Sequence, residues 1–224
     1  MSLSEYRKKR NFRVTPEPSG GPPAEEISRL IFVIQKHLSS HLHYDFRLEW
    51  NGILLSWAVP KGPSLSSSVK RLAMRVEDHP VEYANFEGVI PEGEYGAGTV
   101  MVWDKGTWEP EIPDVDAALK EGELKFTLLG KKLKGSWVLV HTPGYSSTRH
   151  SAWLLIKHED RYASKRDITL DEPYSVLTHR LLADIARDGG GDVKKAASGD
   201  PSADRAVRAS STKAASVSAR KRQP

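Results

Sequence analysis

The stretch HLSSHLHYDFRLEWNGILLSWAV, residues 37–59, decides the fold of this chain. From residue 43 it alternates polar and apolar side chains, which is typical of a β-strand with one buried face. The polar face carries His43, Asp45, Arg47 and Glu49, and the apolar face carries Tyr44, Phe46, Leu48 and Trp50. The dipeptide Asn51-Gly52 follows, and it favours a two-residue hairpin turn because both residues tolerate a positive φ. Residues 53–59 are therefore predicted to return as the partner strand.

Further short apolar runs, rich in β-branched and aromatic residues, predict at least seven strands in all. Glycine, proline and aspartate separate them. Besides the hairpin, these runs are 31–36, 72–76, 99–103, 123–129, 136–142 and 152–157. Only residues 114–121 and 174–187 show helical patterns. The sequence thus predicts a mainly all-β fold, a barrel or a sandwich with a few peripheral helices.

The chain divides into one domain with two tails. Its 224 residues, 38% of them hydrophobic, suffice for a single core. Residues 1–27 are basic at the start and hold four prolines and two glycines from residue 15, which predicts an extended lead-in. Residues 28–187 form the predicted domain. Residues 188–224 are predicted to be a disordered basic tail, because they offer little apolar surface to bury.

Charge is distributed unevenly along the chain. The formal net charge is +4, and residues 1–14 and 189–224 are basic while the central segment is acidic. The basic character therefore does not indicate a globally cationic surface for a nucleic-acid backbone. The C-terminal tail would hold a polyanion loosely; a merely solubilising tail is the alternative.

The absence of cysteine excludes disulfides, thiolate metal sites and a cysteine nucleophile. The N-terminus has no apolar run typical of a secretory signal. Residues 53–59, the longest apolar stretch, are too few to span a bilayer. We expect a cytoplasmic, nucleoid-associated protein with no membrane partner.

The polar face of the 43–50 strand has the composition of a metal site. His43 and Asp45 lie two residues apart, roughly 6.7 Å along a strand, and point the same way. Either His37 or His41 would complete a set of two imidazoles and one carboxylate, which suits Mn²⁺, Fe²⁺ or Zn²⁺. Spacing alone does not decide between them. The alternative is a solvated strand face with an ordinary His–Asp hydrogen bond.

Arg47 lies next on the same face, and its planar guanidinium is suited to two phosphate oxygens at once. The alternative is a surface arginine paired with Glu49. His79 and Tyr83 project together if Pro80 opens a helical turn, since they are four residues apart. Lys61 and Arg71 flank the following loop and would add positive charge.

The glycine-rich run GEYGAG at residues 93–98 lacks the lysine of a phosphate-binding loop and leads into a strand rather than a helix. Tight turning explains its glycines better than phosphate binding.

Two long segments carry a family resemblance. Residues 32–64, FVIQKHLSSHLHYDFRLEWNGILLSWAVPKGPS, and residues 76–98, VEDHPVEYANFEGVIPEGEYGAG, closely resemble the 3′-phosphoesterase module of bacterial DNA ligase D. The similarity runs from about Ser4 to residues 153–160 and a helix near 175–186. We expect a stand-alone version of that module, because the 224 residues hold no ligase or polymerase domain.

The resemblance implies a closed β-barrel core with flanking helices. It implies a metal ion, typically Mn²⁺, held by His37, His43 and Asp45, so that His41 falls outside the ligand set. It further implies that Arg47 and His79 bind the phosphate, with Tyr83, Lys61 and Arg71 nearby. We therefore expect Arg47, His79 and Tyr83 to be catalytic and Arg47, Lys61, Arg71 and His79 to bind substrate.

The implied activity is a metal-dependent hydrolysis at DNA 3′ ends. Family members remove a 3′-terminal phosphate, and they cleave a terminal ribonucleoside and then the phosphate that it leaves, so that a 3′-hydroxyl remains for ligation in repair. The expected partners are DNA 3′ ends on a primer–template and a separate ligase or end-joining factor. His79 is the candidate general acid for the departing oxygen, or it only orients phosphate.

Two other functions compete with this one. The first is a non-catalytic DNA-end-binding module whose metal clamps phosphate. The second is an iron-dependent oxygenase that uses His43, Asp45 and a distal His79 as its two-histidine, one-carboxylate ligand set.

Overall fold

A computed structural model describes residues 3–21, 29–143 and 151–202. Ten strands form its sheet, and they are short apart from one of thirteen residues. They are β1 (Ile31–Leu38), β2 (Leu42–Trp50), β3 (Ile53–Val59), β4 (Lys70–Arg75), β5 (His79–Pro80), β6 (Gly88–Ile90), β7 (Gly98–Pro110), β8 (Glu123–Gly130), β9 (Lys134–His141) and β10 (Ala152–Lys157).

Eight of the strands close into a barrel. The order β1-β2-β3-β4-β10-β9-β8-β7 returns to β1, which pairs with β7 from Ile31 opposite Thr107 to Leu38 opposite Thr99. All of these pairings are antiparallel. Closure satisfies the backbone groups that an open edge would expose. The predicted fold class, mainly β with a closed barrel, is confirmed.

The β2–β3 hairpin has the turn that its sequence predicts. Asn51 and Gly52 have φ values of 53° and 76°, and Trp50 pairs with Ile53. Positive φ at both central positions matches the right-handed twist of the flanking strands. This turn fixes the register, so that Arg47 lies opposite Ser56 and Asp45 opposite Ala58.

The barrel interior takes the apolar face of β1 and β2. Tyr44, Phe46 and Leu48 are buried there, and the Phe46 ring stacks on Phe126 from β8 at 5.7 Å between centroids. A second cluster covers the outside of the same wall. Its buried members are Tyr6, Val33, Leu54, Tyr83, Ala84, Phe86, Ile90, Val100 and Val102. One wall of the barrel is therefore buried on both faces, and its outer polar residues lie beneath a cover.

Short helices surround the barrel: α1 (Ser4–Lys8), α2 (Val115–Glu121), α3 (Ile168–Asp171), α4 (Leu182–Asp188) and α5 (Val193–Ala197), with a 3-10 helix at Val81–Asn85. The helix predicted at 114–121 is α2, which Asp114 caps at its N-terminus and Gly122 ends at φ 88°. The pattern at 174–187 yields a helix only from Leu182. Before it, the Ser175 hydroxyl accepts from the backbone N–H groups of residues 177 and 178, a turn that competes with a helix.

Both ends of the described chain pack against the barrel. In the predicted lead-in, α1 carries a fully buried Tyr6. Residues 188–202 are predicted from sequence to belong to a disordered tail, but they contain α5. Asp200 holds this segment: it pairs with Lys36 and accepts hydrogen bonds from the N–H groups of Leu182 and Ala183. Ordered structure thus extends to residue 202. The remainder of the predicted tail, 203–224, and residues 22–28 lie outside the described residues.

Over residues 3–21, 29–143 and 151–202, no helix has the length and apolar character needed to cross a lipid bilayer.

Candidate metal and phosphate site

A cleft of about 330 Å³ lies on the outer face of the β1–β2–β3 wall. The N-terminal segment, the end of the 76–79 segment, the 3-10 helix and the glycine-rich loop enclose it. It is lined by Arg10, His37, Ser39, His43, Asp45, Arg47, Ala58, Val76, Glu77, His79, Tyr83, Ile90, Tyr95 and Gly96. Most residues of the predicted site thus meet in one place.

His37, His43 and Asp45 form a compact cluster at the end of the first hairpin. His37 lies directly opposite His43 in the β1–β2 pairing, and one ligand atom from each of the three residues lies within 4.8 Å of the others. The Asp45 carboxylate is 3.5 Å from His37 Nδ1 and 3.8 Å from His43 Nε2. His41 is exposed in the turn between the strands. The register therefore brings His37, not His41, to Asp45.

Backbone carbonyls orient both imidazoles. His37 Nε2 lies 2.9 Å from the Gly96 carbonyl oxygen, and His43 Nδ1 lies 3.0 Å from the His41 carbonyl oxygen. Because a carbonyl oxygen only accepts, we assign the ring proton to these outer nitrogens. The inner nitrogens, His37 Nδ1 and His43 Nε2, then present lone pairs towards Asp45. This arrangement of outer-nitrogen hydrogen bonds is usual for metal-bound histidines, and the donor set fits a divalent transition metal.

Asp45 is held as a carboxylate. Its burial alone would raise the pKa, but the adjacent Arg47 guanidinium holds the pKa of Asp45 well below its ordinary value. Arg47 Nη2 is 3.2 Å from Asp45 Oδ2. A carboxylate that stays ionised at all physiological pH values is what a metal ligand requires.

Hydrogen bonds fix the guanidinium of Arg47. Its Nε donates to Gln35 Oε1 at 2.9 Å, and its Nη1 donates to Ser56 Oγ at 2.7 Å. Gln35 is held in turn by donating to the carbonyl oxygens of Tyr83 and Phe86. The alternative pairing with Glu49 is wrong, because Glu49 instead accepts from the Gly52 N–H. The guanidinium is therefore preorganised beside the metal cluster.

His79 lies between two guanidiniums. Arg47 Nη1 is 2.8 Å from its Nδ1, and Arg10 Nη2 is 3.2 Å from its Nε2. Burial, followed by these two cations, lowers the pKa of His79 well below 6.5, so the ring is neutral at neutral pH. Because both of its nitrogens face cations and it is absent from the ligand cluster, His79 does not form the distal ligand of an oxygenase site.

Tyr83 closes the cleft behind Arg47 and His79. Its hydroxyl donates to Glu17 Oε1 at 2.9 Å, and its ring lies 5.1 Å from the Arg47 guanidinium carbon. Burial, reinforced by Glu17, raises the pKa of Tyr83 well above 10, so the phenol is protonated at neutral pH. The predicted proximity of His79 and Tyr83 is correct, with ring centroids 4.8 Å apart.

Arg10 and Glu77 are cleft residues that sequence reasoning missed. Arg10 Nε donates to Glu17 Oε1 at 2.9 Å and its Nη1 lies 3.3 Å from Glu77 Oε1, with only 4% of the arginine side chain exposed. Arg10 lies 69 positions from His79 in a segment that resembles a solvated basic tail. Nothing in the spacing or periodicity of that segment indicated a buried contact.

The structure does not bring Lys61 and Arg71 into the cleft. Lys61 is exposed beyond the end of β3 and lines a different pocket together with Tyr44 and Thr169. Arg71 lies on β4 opposite Leu155, two residues from Ala73 and on the same face, and Ala73 is a core residue. Their expected role rested on closeness in sequence and on the family resemblance, whereas the path of the chain around the barrel takes both side chains away from this cleft.

Comparison with known proteins agrees with this geometry. Residues 35–141 match the family model described as the DNA Ligase D 3'-phosphoesterase domain. The chain is 50% identical over 184 residues to the multifunctional non-homologous end joining protein LigD of Pseudomonas aeruginosa, covering 80% of this chain and 22% of that protein. It is 46% identical over 144 residues to its Mycobacterium tuberculosis counterpart, covering 63% and 18%. The chain spans about a fifth of the length of these relatives.

Proposed function

Because the barrel of this chain resembles the 3′-phosphoesterase module of bacterial DNA ligase D, we propose that it is a metal-dependent hydrolase of DNA 3′ ends. It hydrolyses a 3′-terminal phosphate to leave a 3′-hydroxyl for ligation. From an end with a 3′-terminal ribonucleoside it first releases the ribonucleoside and then removes the 3′-phosphate that this cleavage leaves. One observation carries the proposal: two oriented imidazoles and a carboxylate converge beside a fixed guanidinium in an open cleft. The names of the relatives support a role in end joining.

The formal charges of the cleft support a requirement for a cation. Among its lining residues, Arg10 and Arg47 are balanced by Asp45 and Glu77. A phosphomonoester carries nearly two negative charges at neutral pH, and a neutral cleft compensates for none of them. A divalent cation at His37, His43 and Asp45 gives the site two net positive charges, which matches the ligand.

We propose Mn²⁺ as the metal, since two imidazoles and one carboxylate leave coordination positions for water and substrate. When bound, such an ion polarises a phosphate oxygen and lowers the pKa of coordinated water from 15.7 towards about 7–9. The chain itself supplies the shaped wall of the cleft and the fixed direction of the three ligand atoms.

Arg47 is the residue that binds the phosphate. Its Nη2 faces the Asp45 carboxylate and its Nη1 faces His79 and Ser56, so the guanidinium lies between the metal ligands and the His79 ring. A planar, hydrogen-bonded guanidinium loses little entropy on binding oxygens, and it stabilises charge that develops on them in the transition state.

His79 is the candidate proton donor to the departing 3′-oxygen. In the free protein it is neutral because burial, followed by the neighbouring Arg47 and Arg10, lowers its pKa well below 6.5. An incoming phosphate offsets these two cations, so binding raises the affinity of His79 for a proton at the stage when a general acid is needed. Proton transfer of this kind is worth about 10²–10⁴-fold in rate.

A primer–template that ends in a 3′-phosphate tests the proposal. The protein is incubated with this DNA and Mn²⁺, or with EDTA, and the release of inorganic phosphate is followed. We expect phosphate release only with the metal, and its loss in His37→Ala. His41→Ala is the matched control, because His41 is a neighbouring exposed histidine outside the cluster.

A second substrate carries a 3′-terminal ribonucleoside, and its shortening tests the diesterase step. Tight, metal-dependent binding of the 3′-phosphate end without any phosphate release would contradict the hydrolase and identify an end-binding module instead.

A further inference from the structure

Tyr95 is an exposed aromatic residue in the wall of the site cleft. It is 46% exposed, and it lines the cleft with the metal cluster and Arg47. Only one other tyrosine among the described residues, Tyr174, is comparably exposed, and it lines a different pocket. A single exposed ring is ordinary on a protein surface, but its position in the wall of the cleft places an aromatic surface within reach of a ligand there.

The loop that carries Tyr95 is attached to the metal cluster. Two successive turns shape it, through hydrogen bonds from Glu94 N to Pro91 O at 3.2 Å and from Ala97 N to Glu94 O at 3.0 Å. Gly96 adopts φ 80°, and its carbonyl oxygen accepts the hydrogen bond from His37 Nε2. The ring is thus held one residue from the group that orients a predicted metal ligand.

Cations of the N-terminal segment lie close to the ring. The Lys9 ammonium is 4.6 Å from the Tyr95 centroid, and the Arg10 guanidinium carbon is 5.6 Å from it. Glu77 accepts hydrogen bonds from both side chains and holds them in place. An aromatic face beside positive charge is the combination that binds single-stranded nucleic acid, where bases stack and the backbone follows the cations.

We propose that Tyr95 is the stacking platform for the base of the 3′-terminal nucleotide. This inference rests on the proposed function: a phosphate held at Arg47 is joined to a sugar, and the base on that sugar must leave the cleft past its wall. Stacking uses the π face that every base has, so Tyr95 determines specificity for a nucleotide end without selecting its sequence.

The test combines a change in the protein with a change in the substrate. Phosphate release is measured on two oligonucleotides with a 3′-phosphate, one with an ordinary terminal nucleotide and one with a tetrahydrofuran abasic residue there. We expect removal of the base to raise the KM of the unmodified protein about 5- to 150-fold, the range of one base–aromatic stack. Tyr95→Ala should raise the KM for the ordinary end by a similar factor and leave the KM for the abasic end unchanged.

Tyr95→Phe is the matched control: it keeps the ring and loses only the hydroxyl, which accepts a hydrogen bond from Lys9 at 3.4 Å, and it should keep the preference of the unmodified protein for the ordinary end. Equal losses on both substrates in Tyr95→Ala would overturn the inference, because they indicate a displaced loop rather than a lost stack. The inference is also overturned if the unmodified protein does not distinguish the two ends.

Failure of the proposed function gives a different result, namely no phosphate release from either oligonucleotide. The inference is then decided by the dissociation constants of the same oligonucleotides in EDTA, measured by fluorescence anisotropy. A preference for the ordinary end that Tyr95→Ala abolishes supports it, and equal affinities for the two ends overturn it.

Discussion

Two buried charge clusters lie on opposite faces of the same barrel wall. On the inner face, the Lys36 ammonium is 3.4 Å from Asp200, and their side chains are 1% and 6% exposed. On the outer face, Asp45 and Arg47 are 9% and 3% exposed and lie in a cleft. Both clusters pair a cation with a carboxylate at similar burial. Burial of charge alone therefore does not distinguish a functional site from a structural one.

The partners of the charges make the distinction. Asp200 accepts hydrogen bonds from Lys36 and from two backbone N–H groups, so the chain itself supplies the counter-charge and the donors for this carboxylate. Burial lowers the pKa of Lys36, and Asp200 offsets part of that effect. In the outer cluster, two imidazole nitrogens and a carboxylate face one another with their lone pairs, which is unfavourable unless a cation lies between them. The inner cluster is complete as it stands; the outer one has room for a cation.

Asp45→Asn changes the outer cluster, and it should have the largest effect on activity. The amide keeps the size of the side chain but removes the negative charge, so metal affinity falls and the rate of phosphate release drops on the order of 10³-fold or more, since metal assistance is worth several kcal/mol. Calorimetric titration with Mn²⁺ and the turnover assay measure the two quantities. His41→Ala should change neither, and an active Asp45→Asn variant would refute the proposed ligand set.

Asp200→Asn tests the inner pair, where stability rather than activity should change. Loss of the carboxylate leaves Lys36 buried without a counter-charge, which costs about 3 kcal/mol in the free energy of unfolding. Urea denaturation measures this loss. The double variant Lys36→Met/Asp200→Asn should recover most of it, because no charge then remains buried. Turnover at saturating Mn²⁺ should be unchanged in both, and a loss of turnover would show that the two faces are coupled.

Local pattern predicted much of this arrangement, and long-range contacts account for the rest. The alternation of residues 43–50 and the Asn51-Gly52 turn were sufficient for the hairpin, its register and the shared face of His43, Asp45 and Arg47. The β-rich pattern predicted the fold class. Neither could place Arg10 against His79 or Asp200 against Lys36, which are 69 and 164 residues apart.

The errors have the same cause. Lys61 and Arg71 are near the site along the chain, but the path of β3 and β4 around the barrel takes them elsewhere. The ordered 188–202 segment was missed because its polar composition conceals one buried carboxylate, Asp200. Composition reports average burial, whereas a single saturated ion pair can order a segment.

The free energy of unfolding should fall on acidification, because His79 is neutral in the folded protein. The unfolded chain takes up a proton at this residue near pH 6.5, while the folded protein, whose His79 pKa lies well below 6.5, does not. Acidification below 6.5 therefore favours unfolding, by up to about 1.4 kcal/mol per pH unit for each such group. His43, whose pKa burial also lowers, contributes with the same sign.

The contribution of His79 is isolated by His79→Gln. Urea unfolding between pH 4.5 and 7 should show a shallower dependence of stability on pH in the variant than in the unmodified protein. Equal slopes would mean that His79 is protonated in the fold, and its role as a neutral partner of Arg47 would have to be abandoned.

Tyr83→Phe should have the smallest effect. It tests whether the Tyr83 hydroxyl contacts the phosphate or only stabilises the residues around the cleft. The Tyr83 hydroxyl donates to Glu17, which also accepts from Arg10, so the phenylalanine removes one neutral-to-charged hydrogen bond while the ring against Arg47 remains. Such a bond is worth about 1.5–3 kcal/mol at most, and Arg10 still satisfies the carboxylate, so we expect a loss near 1 kcal/mol in stability.

Turnover should fall less than about tenfold, because the phenol of Tyr83 faces Glu17 rather than the metal cluster. A loss as large as that of Asp45→Asn, with stability unchanged, would instead show that this hydroxyl contacts the reacting phosphate directly.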